Sequence, residues 1–190
     1  MIAPLDWGLG HASRCVPIIH DAIEKGHIVT IAADGAQKKL LQYYFPNASY
    51  VSIPRYGINY SKKAWLLPVA LFFQLPKIAL AIYREHQWLK TNSHLFDCVI
   101  SDNRYGLFNT QLTTTFVTHQ LLVKAPFKWA ENIIQKVQYF FINRFSECWV
   151  PDIADYPGYA ADLSHPTIMP RIPVTYIGAL SQFSILNNKA

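Results

Sequence analysis

Charge is scarce in this chain: 15% of its 190 residues are Asp, Glu, Lys or Arg, while 51% are apolar. A disordered chain is excluded, because disorder requires the opposite balance, and the composition predicts a greasy globular protein. The length suits one domain with a real core and is short for two. Cysteine is sparse as well. Cys15, Cys98 and Cys148 stand singly in apolar periodic segments, with no CxxC pair and no close His/Cys cluster. That spacing argues against a disulfide framework or a structural zinc site and predicts three buried free thiols in a reducing cytosol. No metal ligand set is visible. A basic start followed by an apolar stretch is also missing, so no signal peptide is expected. Internal repeats and low-complexity tracts are absent.

Acids are the scarcer sign, 12 against 17 Lys and Arg, which leaves a formal net charge of +5. From Gly35 to Phe96 there are eight basic residues and one acid, Glu85; Asn103 to Ser146 adds five basic residues against Glu131. A basic balance confined to particular segments points to an anionic partner, either a membrane surface or a phosphate-bearing substrate. No basic–aromatic reader motif is present, so nucleic acid is not expected.

Strand-like and helix-like stretches alternate. "MIAP" predicts a first strand, Ser13–Lys25 a helix ended by Gly26, and "HIVTIAA" a buried second strand. Pro17 is tolerable in that helix if it falls in the first turns. A helix over Gln37–Tyr44 leads to a third strand, "ASYVSIP". A long helical stretch follows from Trp65 to Lys90, interrupted at Pro68 and Pro76. "DCVISD", "TTFVTH", "ECWVP" and "VTYIG" predict four more strands, with a helix over Lys128–Asn143. Such alternation predicts a doubly wound parallel α/β sheet of about seven strands. Asp152 to Pro173, with four prolines and several acids, reads as irregular. The short first strand and the tail "GALSQFSILNNKA" suggest one half of something larger.

In an open parallel sheet, ligands bind beyond the carboxyl ends of the strands, where the strand order reverses. With an order of 3-2-1-4-5, the loops "DWGLGH" and "SDNRYG" face each other there. Gly8 and Gly10 permit a tight turn, and the helix that follows offers free N–H groups to an anion. His11 stands where that helix begins, with Asp102 as the nearest carboxylate. A histidine oriented by an aspartate can serve as a general base for a hydroxyl nucleophile. Blander roles stay open: His11 as a capping residue, Asp102 as an acceptor for loop amides. A dinucleotide fingerprint would need glycine or alanine where Ser13 stands. Asp34 lies where a ribose-binding acid would be, but Asp34-Gly35 is more simply a turn or capping pair. His119, after Thr118 at the end of strand five, also lies on the crevice side.

The stretches "APLDWGLGHASRCVPII" and "GHIVTIAADG" resemble the start of bacterial GT-B glycosyltransferases related to the peptidoglycan-precursor N-acetylglucosaminyltransferase. "VISDNRYGL", "FVTHQ" and "YIGALSQF" resemble later landmarks of that group. The resemblance implies a Rossmann-like amino-terminal, acceptor-side domain over residues 1–178, with 179–190 leading toward a carboxy-terminal donor-binding domain. It implies that Gly8, Leu9, Gly10 and His11 lie beside the transferred sugar and its diphosphate, with Asp102, Asn103, Arg104, Thr118 and His119 nearby. His11 and Asp102 are then the catalytic pair. The donor would be a nucleotide-diphosphate sugar, a UDP-sugar above all, with no other cofactor, and the acceptor a hydroxyl, free or lipid-linked. Without the donor half, this chain alone would be inactive. A nucleotide-sugar epimerase of the same fold and a non-catalytic membrane-docking module are the rival readings.

Ala64 to Tyr83, "AWLLPVALFFQLPKIALAIY", carries one charge, Lys77, over a span long enough to cross a bilayer, where ~20 apolar residues suffice. Two prolines, Gln74 and Lys77 argue against crossing, which leaves a buried crossover helix or an interfacial one. Lys62, Lys63, Arg84 and Lys90 flank it, with Trp65 and Trp88 near its ends, so Arg55–Lys90 is the segment expected to meet an anionic membrane. That partner would place the protein in the cytoplasm, peripheral on the inner face of the membrane.

Overall fold

A computed structural model describes residues 1–57 and 67–181, without the side chains of 67–73. Among the described residues, seven strands form one all-parallel sheet: β1 (Ile2–Pro4), β2 (Thr30–Ala32), β3 (Ser49–Val51), β4 (Cys98–Asp102), β5 (Thr113–Val117), β6 (Glu147–Val150) and β7 (Val174–Tyr176). Their spatial order is β3-β2-β1-β4-β5-β6-β7. The order reverses between β1 and β4, as expected. Among the described residues, four α-helices connect strands: α1 (Leu9–Glu24), α2 (Gly35–Tyr44), α3 (Leu67–Asn92) and α4 (Lys128–Ile142). Residues 182–190, including most of the expected linker, lie outside the described residues, as do Lys62, Lys63 and Trp65.

Register decides which side chains meet. Pro4 is level with Asp102, and Asp102 with Val117, so β1, β4 and β5 end in one row. Strand side chains alternate between faces. Ile2, Ile31 and Val117 therefore meet α1, through Ala12, Cys15, Val16 and Ile19. Ala3, Ala32 and Val99 meet Leu89 of α3 on the opposite face. Phe116, Cys148 and Val150 meet Tyr139 and Ile142 of α4. Each fully buried Ile, Leu or Phe contributes roughly 1.5–3 kcal/mol against the entropy of ordering the chain.

Three local expectations need correction. The first helix begins at Leu9, four residues before Ser13, because Gly8 makes the whole turn at φ 72° and Leu9 is already helical. Pro17 consequently lies in the interior of α1, where it leaves the Ser13 carbonyl without its helical donor. Cys15 and Cys148 are buried free thiols, but Cys98, at the starting edge of β4, is exposed.

None of the described helices is long and apolar enough to cross a membrane. Ala64, Trp65 and Leu66 lie outside the described residues; from Leu67 on, the greasy stretch lies in α3, the crossover helix from β3 to β4, of which Ala81, Ile82, Glu85 and Leu89 are buried. Its other side leaves Leu75, Leu80 and Tyr83 exposed. On α4, Trp129, Ile133, Val137 and Phe140 are exposed at helical spacing.

Two buried carboxylates hold irregular segments. Glu85 accepts hydrogen bonds from Arg104 Nε (2.6 Å), Tyr56 Oη (2.8 Å) and the Gly106 N–H (3.2 Å). Burial nevertheless raises its pKa above the ordinary value, against the opposing pull of Arg104. Asp152, after β6, organises the expected irregular region. It accepts from Ser164 Oγ (2.6 Å) and from the N–H groups of Tyr159 (2.7 Å), Ala160 (3.0 Å) and its neighbour Ile153 (2.7 Å). Burial alone would push its pKa up, but these donors outweigh it and hold the carboxyl at about 2. Gly158, at φ 58°, is required there, since a Cβ would come within 2.5 Å of the Asp152 carboxylate.

Removing one partner of a buried pair costs ~3–5 kcal/mol, whereas replacing both with apolar groups is often nearly neutral. Chemical denaturation should accordingly show a loss of that size for Arg104→Met and a smaller loss for Glu85→Leu/Arg104→Met; equal losses would mean that the pair is not the relevant unit. Asp152 has a depressed pKa in the folded chain, so its contribution is complete above the unfolded value of 3.8 and disappears as pH falls toward about 2. Asp152→Asn should lower stability at pH 7 and flatten the decline in Tm between pH 4 and 2.

Candidate functional site

The site forms where β1, β4 and β5 end. Asp102 shares its parity with Ile100, so its side chain faces α1, and it is fully buried there. A carboxylate taken out of water needs partners. Two come from α1. His11, the third residue of that helix, has Nδ1 at 2.7 Å from Asp102 Oδ2. Arg14 donates from Nη2 to Asp102 Oδ1. Residues three apart on a helix share a face, which is why both reach one carboxylate.

Arg14 is the site residue that the sequence reading missed. With the helix begun at Ser13 its spacing from His11 carried no meaning; with the helix begun at Leu9 the two are i and i+3 neighbours. Its other terminal nitrogen, Nη1, lies 2.7 Å from Nδ1 of His119, which follows β5. One guanidinium thus joins α1, β4 and the loop after β5. The pKa of the half-buried His119 is lowered, first by burial and next by the Arg14 charge, with Asp102 pulling the other way.

His11 Nδ1 faces the Asp102 carboxylate, which only accepts, so the proton of a neutral ring sits on Nδ1 and Nε2 carries the lone pair. The 2.9 Å between Arg14 Nη2 and His11 Nδ1 is then a contact between two donors to the same carboxylate. His11 Nε2 takes no hydrogen bond from the described residues, and the side chain is 19% exposed. This arrangement can accept a proton from a hydroxyl.

Gly8 and Leu9 also border a cleft of about 230 Å³ between the loops after β1 and β2. Gln37 of α2 shapes it by donating to the carbonyls of Leu5 (2.6 Å) and Gly8 (2.7 Å), a second role not visible in the sequence. Among the described residues, no side chain caps α1 at Gly8, which leads into Leu9 and Gly10. Its first-turn N–H groups therefore remain available to an anion. Asp34 begins α2 as the N-cap, as its turn reading expected, but its carboxylate accepts from Ser52 Oγ (2.8 Å) rather than from the helix.

The remaining expected site residues are placed differently from one another. Asn103 is half-buried at the crevice with φ 56°, its N–H donating to the Val117 carbonyl. Thr118 is buried, and its hydroxyl accepts from the Gln120 N–H (3.1 Å) to close the turn toward His119. Arg104 borders the cleft, but its guanidinium is tied into the fold. It donates to Glu85, to the Pro4 carbonyl (3.1 Å) and to the Pro54 carbonyl. The structure thus brings His11, Asp102, Arg14 and His119 into one cluster and leaves the guanidinium of Arg104 out of it.

No family profile matches this chain, and no curated protein does. Solved structures resemble it in fold. The UGT2 glycosyltransferase of Phytolacca americana, solved with UDP-2fluoro-glucose and pterostilbene, matches 94% of this chain and 53% of its own at 12% identity and a TM-score of 0.53. MurG of Acinetobacter baumannii matches 83% of this chain and 42% of its own at 14% identity and a TM-score of 0.40. The chain thus spans about half the length of the solved structures it resembles. On the first of these likenesses, it has the Rossmann-like α/β fold of one half of a two-domain GT-B enzyme.

Proposed function

We propose that this chain is the acceptor-side domain of a glycosyltransferase, spanning residues 1–178 and continuing through a linker toward a donor-binding domain. The reaction is transfer of a hexose or N-acetylhexosamine from a nucleotide-diphosphate sugar, a UDP-sugar by preference, to a hydroxyl acceptor. The observation that carries this reading is the contact of 2.7 Å between His11 and buried Asp102 at the point where the strand order reverses. His11 Nε2 takes the proton as the acceptor O–H bond breaks. The acceptor oxygen bonds the anomeric carbon, and the bond from that carbon to the diphosphate breaks with its electron pair leaving on the nucleotide. Asp102 stabilises the ring charge that develops on His11. The open N-terminus of α1 places partial positive charge beside the leaving diphosphate.

A positioned general base contributes about 10²–10⁴-fold to rate. In the enzyme containing both halves, His11→Ala should lower kcat by that factor with a much smaller change in KM, measured as nucleotide release with acceptor present. Asp102→Asn should lower kcat less, because it disturbs the base without removing it. A His11→Ala enzyme with near wild-type kcat would leave the histidine a structural residue.

The partner surface proposed alongside is an anionic bilayer. Its basis is the apolar exposure of Leu75, Leu80 and Tyr83 on α3, near Arg84 and Lys90 in the Arg55–Lys90 segment, together with the exposed α4 stripe. Around that stripe, Lys128, Lys136 and Arg144 face one acid, Glu131, which Lys128 pairs at 2.8 Å. Aromatics and basic residues around an apolar helix face suit a headgroup layer, and each basic residue near the surface contributes ~1 kcal/mol. Co-sedimentation with vesicles should require acidic lipid and weaken as salt rises, since screening acts over ~10 Å at 0.1 M. Trp129→Ser with Ile133→Ser should weaken it further. Equal recovery in the supernatant with neutral and anionic vesicles would remove the membrane from this reading.

A further inference from the structure

We propose that Arg14 is a positioning residue that sets the two crevice histidines to opposite roles, His11 as a proton acceptor and His119 as a hydrogen-bond donor. The inference rests on the base role of His11 and extends it to the shape of the substrate.

His119 presents Nδ1 to Arg14, whereas His11 presents Nδ1 to Asp102 at 2.7 Å, nearer than the 2.9 Å to Arg14 Nη2, so the carboxylate sets its sense. Asp102 can only accept, so His11 Nδ1 carries its proton and Nε2 is bare. A guanidinium can only donate, so His119 Nδ1, 2.7 Å from Arg14 Nη1, is bare and the proton of its neutral ring sits on Nε2. The lowered pKa of His119 has the same direction, because a second ring proton would have to point at Arg14. The charged and titratable groups facing His119 are Arg14 and His11 from α1, Asp102 from β4 and Asp152 after β6. Arg14 is the one among them in hydrogen-bond contact with its ring. Neither Nε2 atom takes a hydrogen bond from the described residues. His119 is fastened to one terminal nitrogen of the guanidinium, and His11 to the carboxylate that the other terminal nitrogen holds, so their outer nitrogens form an acceptor and a donor in one crevice.

An acceptor–donor pair of this kind fits a hydroxyl with a second oxygen beside it. The reacting O–H gives its proton to His11 Nε2, while the adjacent oxygen accepts from His119 Nε2–H. A vicinal diol, as on a sugar ring, supplies both; an isolated alcohol supplies one.

The test is a long-range proton–nitrogen NMR spectrum of the full chain labelled with ¹⁵N-histidine, followed through a pH titration. Expected at pH 8 are an Nδ1–H form for His11 and an Nε2–H form for His119. Arg14→Gln should move the His119 titration upward toward the ordinary value near 6.5 and mix its two neutral forms, while His11 keeps its Nδ1 proton through Asp102. In the two-domain enzyme, His119→Gln, which retains an N–H donor, should keep about tenfold more kcat/KM on a vicinal-diol acceptor than His119→Leu. An Nδ1–H form of His119 in the wild-type chain would overturn the proposal, and so would an Arg14→Gln titration of His119 unchanged from wild type. The wild-type spectrum decides even if the variant does not fold. Because the spectra read nitrogen states without turnover, they fail separately from the kinetic test of His11.

Discussion

The carboxylate of Asp102 is fully buried at the end of a central strand, and it joins the first helix to the sheet. A charge in that position costs several kcal/mol unless its oxygens are satisfied. Arg14 takes one oxygen and His11 the other, both from the first two turns of α1. Helix position, histidine orientation and ring tautomer are therefore not independent properties. Each follows from satisfying one buried group, and the strand order places that group at the crevice. Moving α1 by one residue would carry both partners off its face.

A second buried pair is Glu85 with Arg104, joined by Tyr56 and the carbonyls at Pro4 and Pro54. It links α3, the end of β1 and the loop after β4. The two pairs set two arginines of the crevice to different tasks. Arg14 reaches the groups that face substrate, whereas the donors of Arg104 are directed at the fold. In sequence both look alike, an arginine shortly after a strand or a glycine-rich loop. Only burial and partners separate them.

Much of the fold was legible because it rests on periodicity and on a topological rule. β4, β5 and β6 are short β-rich runs bounded by turns. Once β1 and β4 are taken as neighbours, His11 and Asp102 must come close. The misreadings share one physical cause. Gly8 reverses the chain in a single left-handed residue, so the helix starts four residues earlier than the polar run at Ser13 suggests. That shift hid the spacing of Arg14 from His11 and moved Pro17 into the helix interior. The contacts of Glu85 with Tyr56 and Arg104 span 29 and 19 residues and leave no local signal. The exposure of Cys98 depends on where β4 meets the starting edge of the sheet, which an apolar pattern does not specify.

Parallel strands impose a last constraint, on direction. Every strand ends at the same edge of the sheet, so every following helix begins at that edge and runs back. The open N-terminus of α1, with His11 in its first turn, is therefore at the same edge as the start of α4. Phe127 and Trp129, stacked and exposed, stand at that start, and Ile133, Val137 and Phe140 continue away from it. On the proposed reading, the aromatic end of a bilayer-facing helix and the proton-accepting nitrogen belong to one edge for a topological reason. An acceptor rooted in the headgroup layer would then approach the crevice from the side where α4 begins, and its hydroxyl would need only short reach. Were the same stripe on the far ends of the helices, docking and chemistry would lie on opposite edges of the sheet.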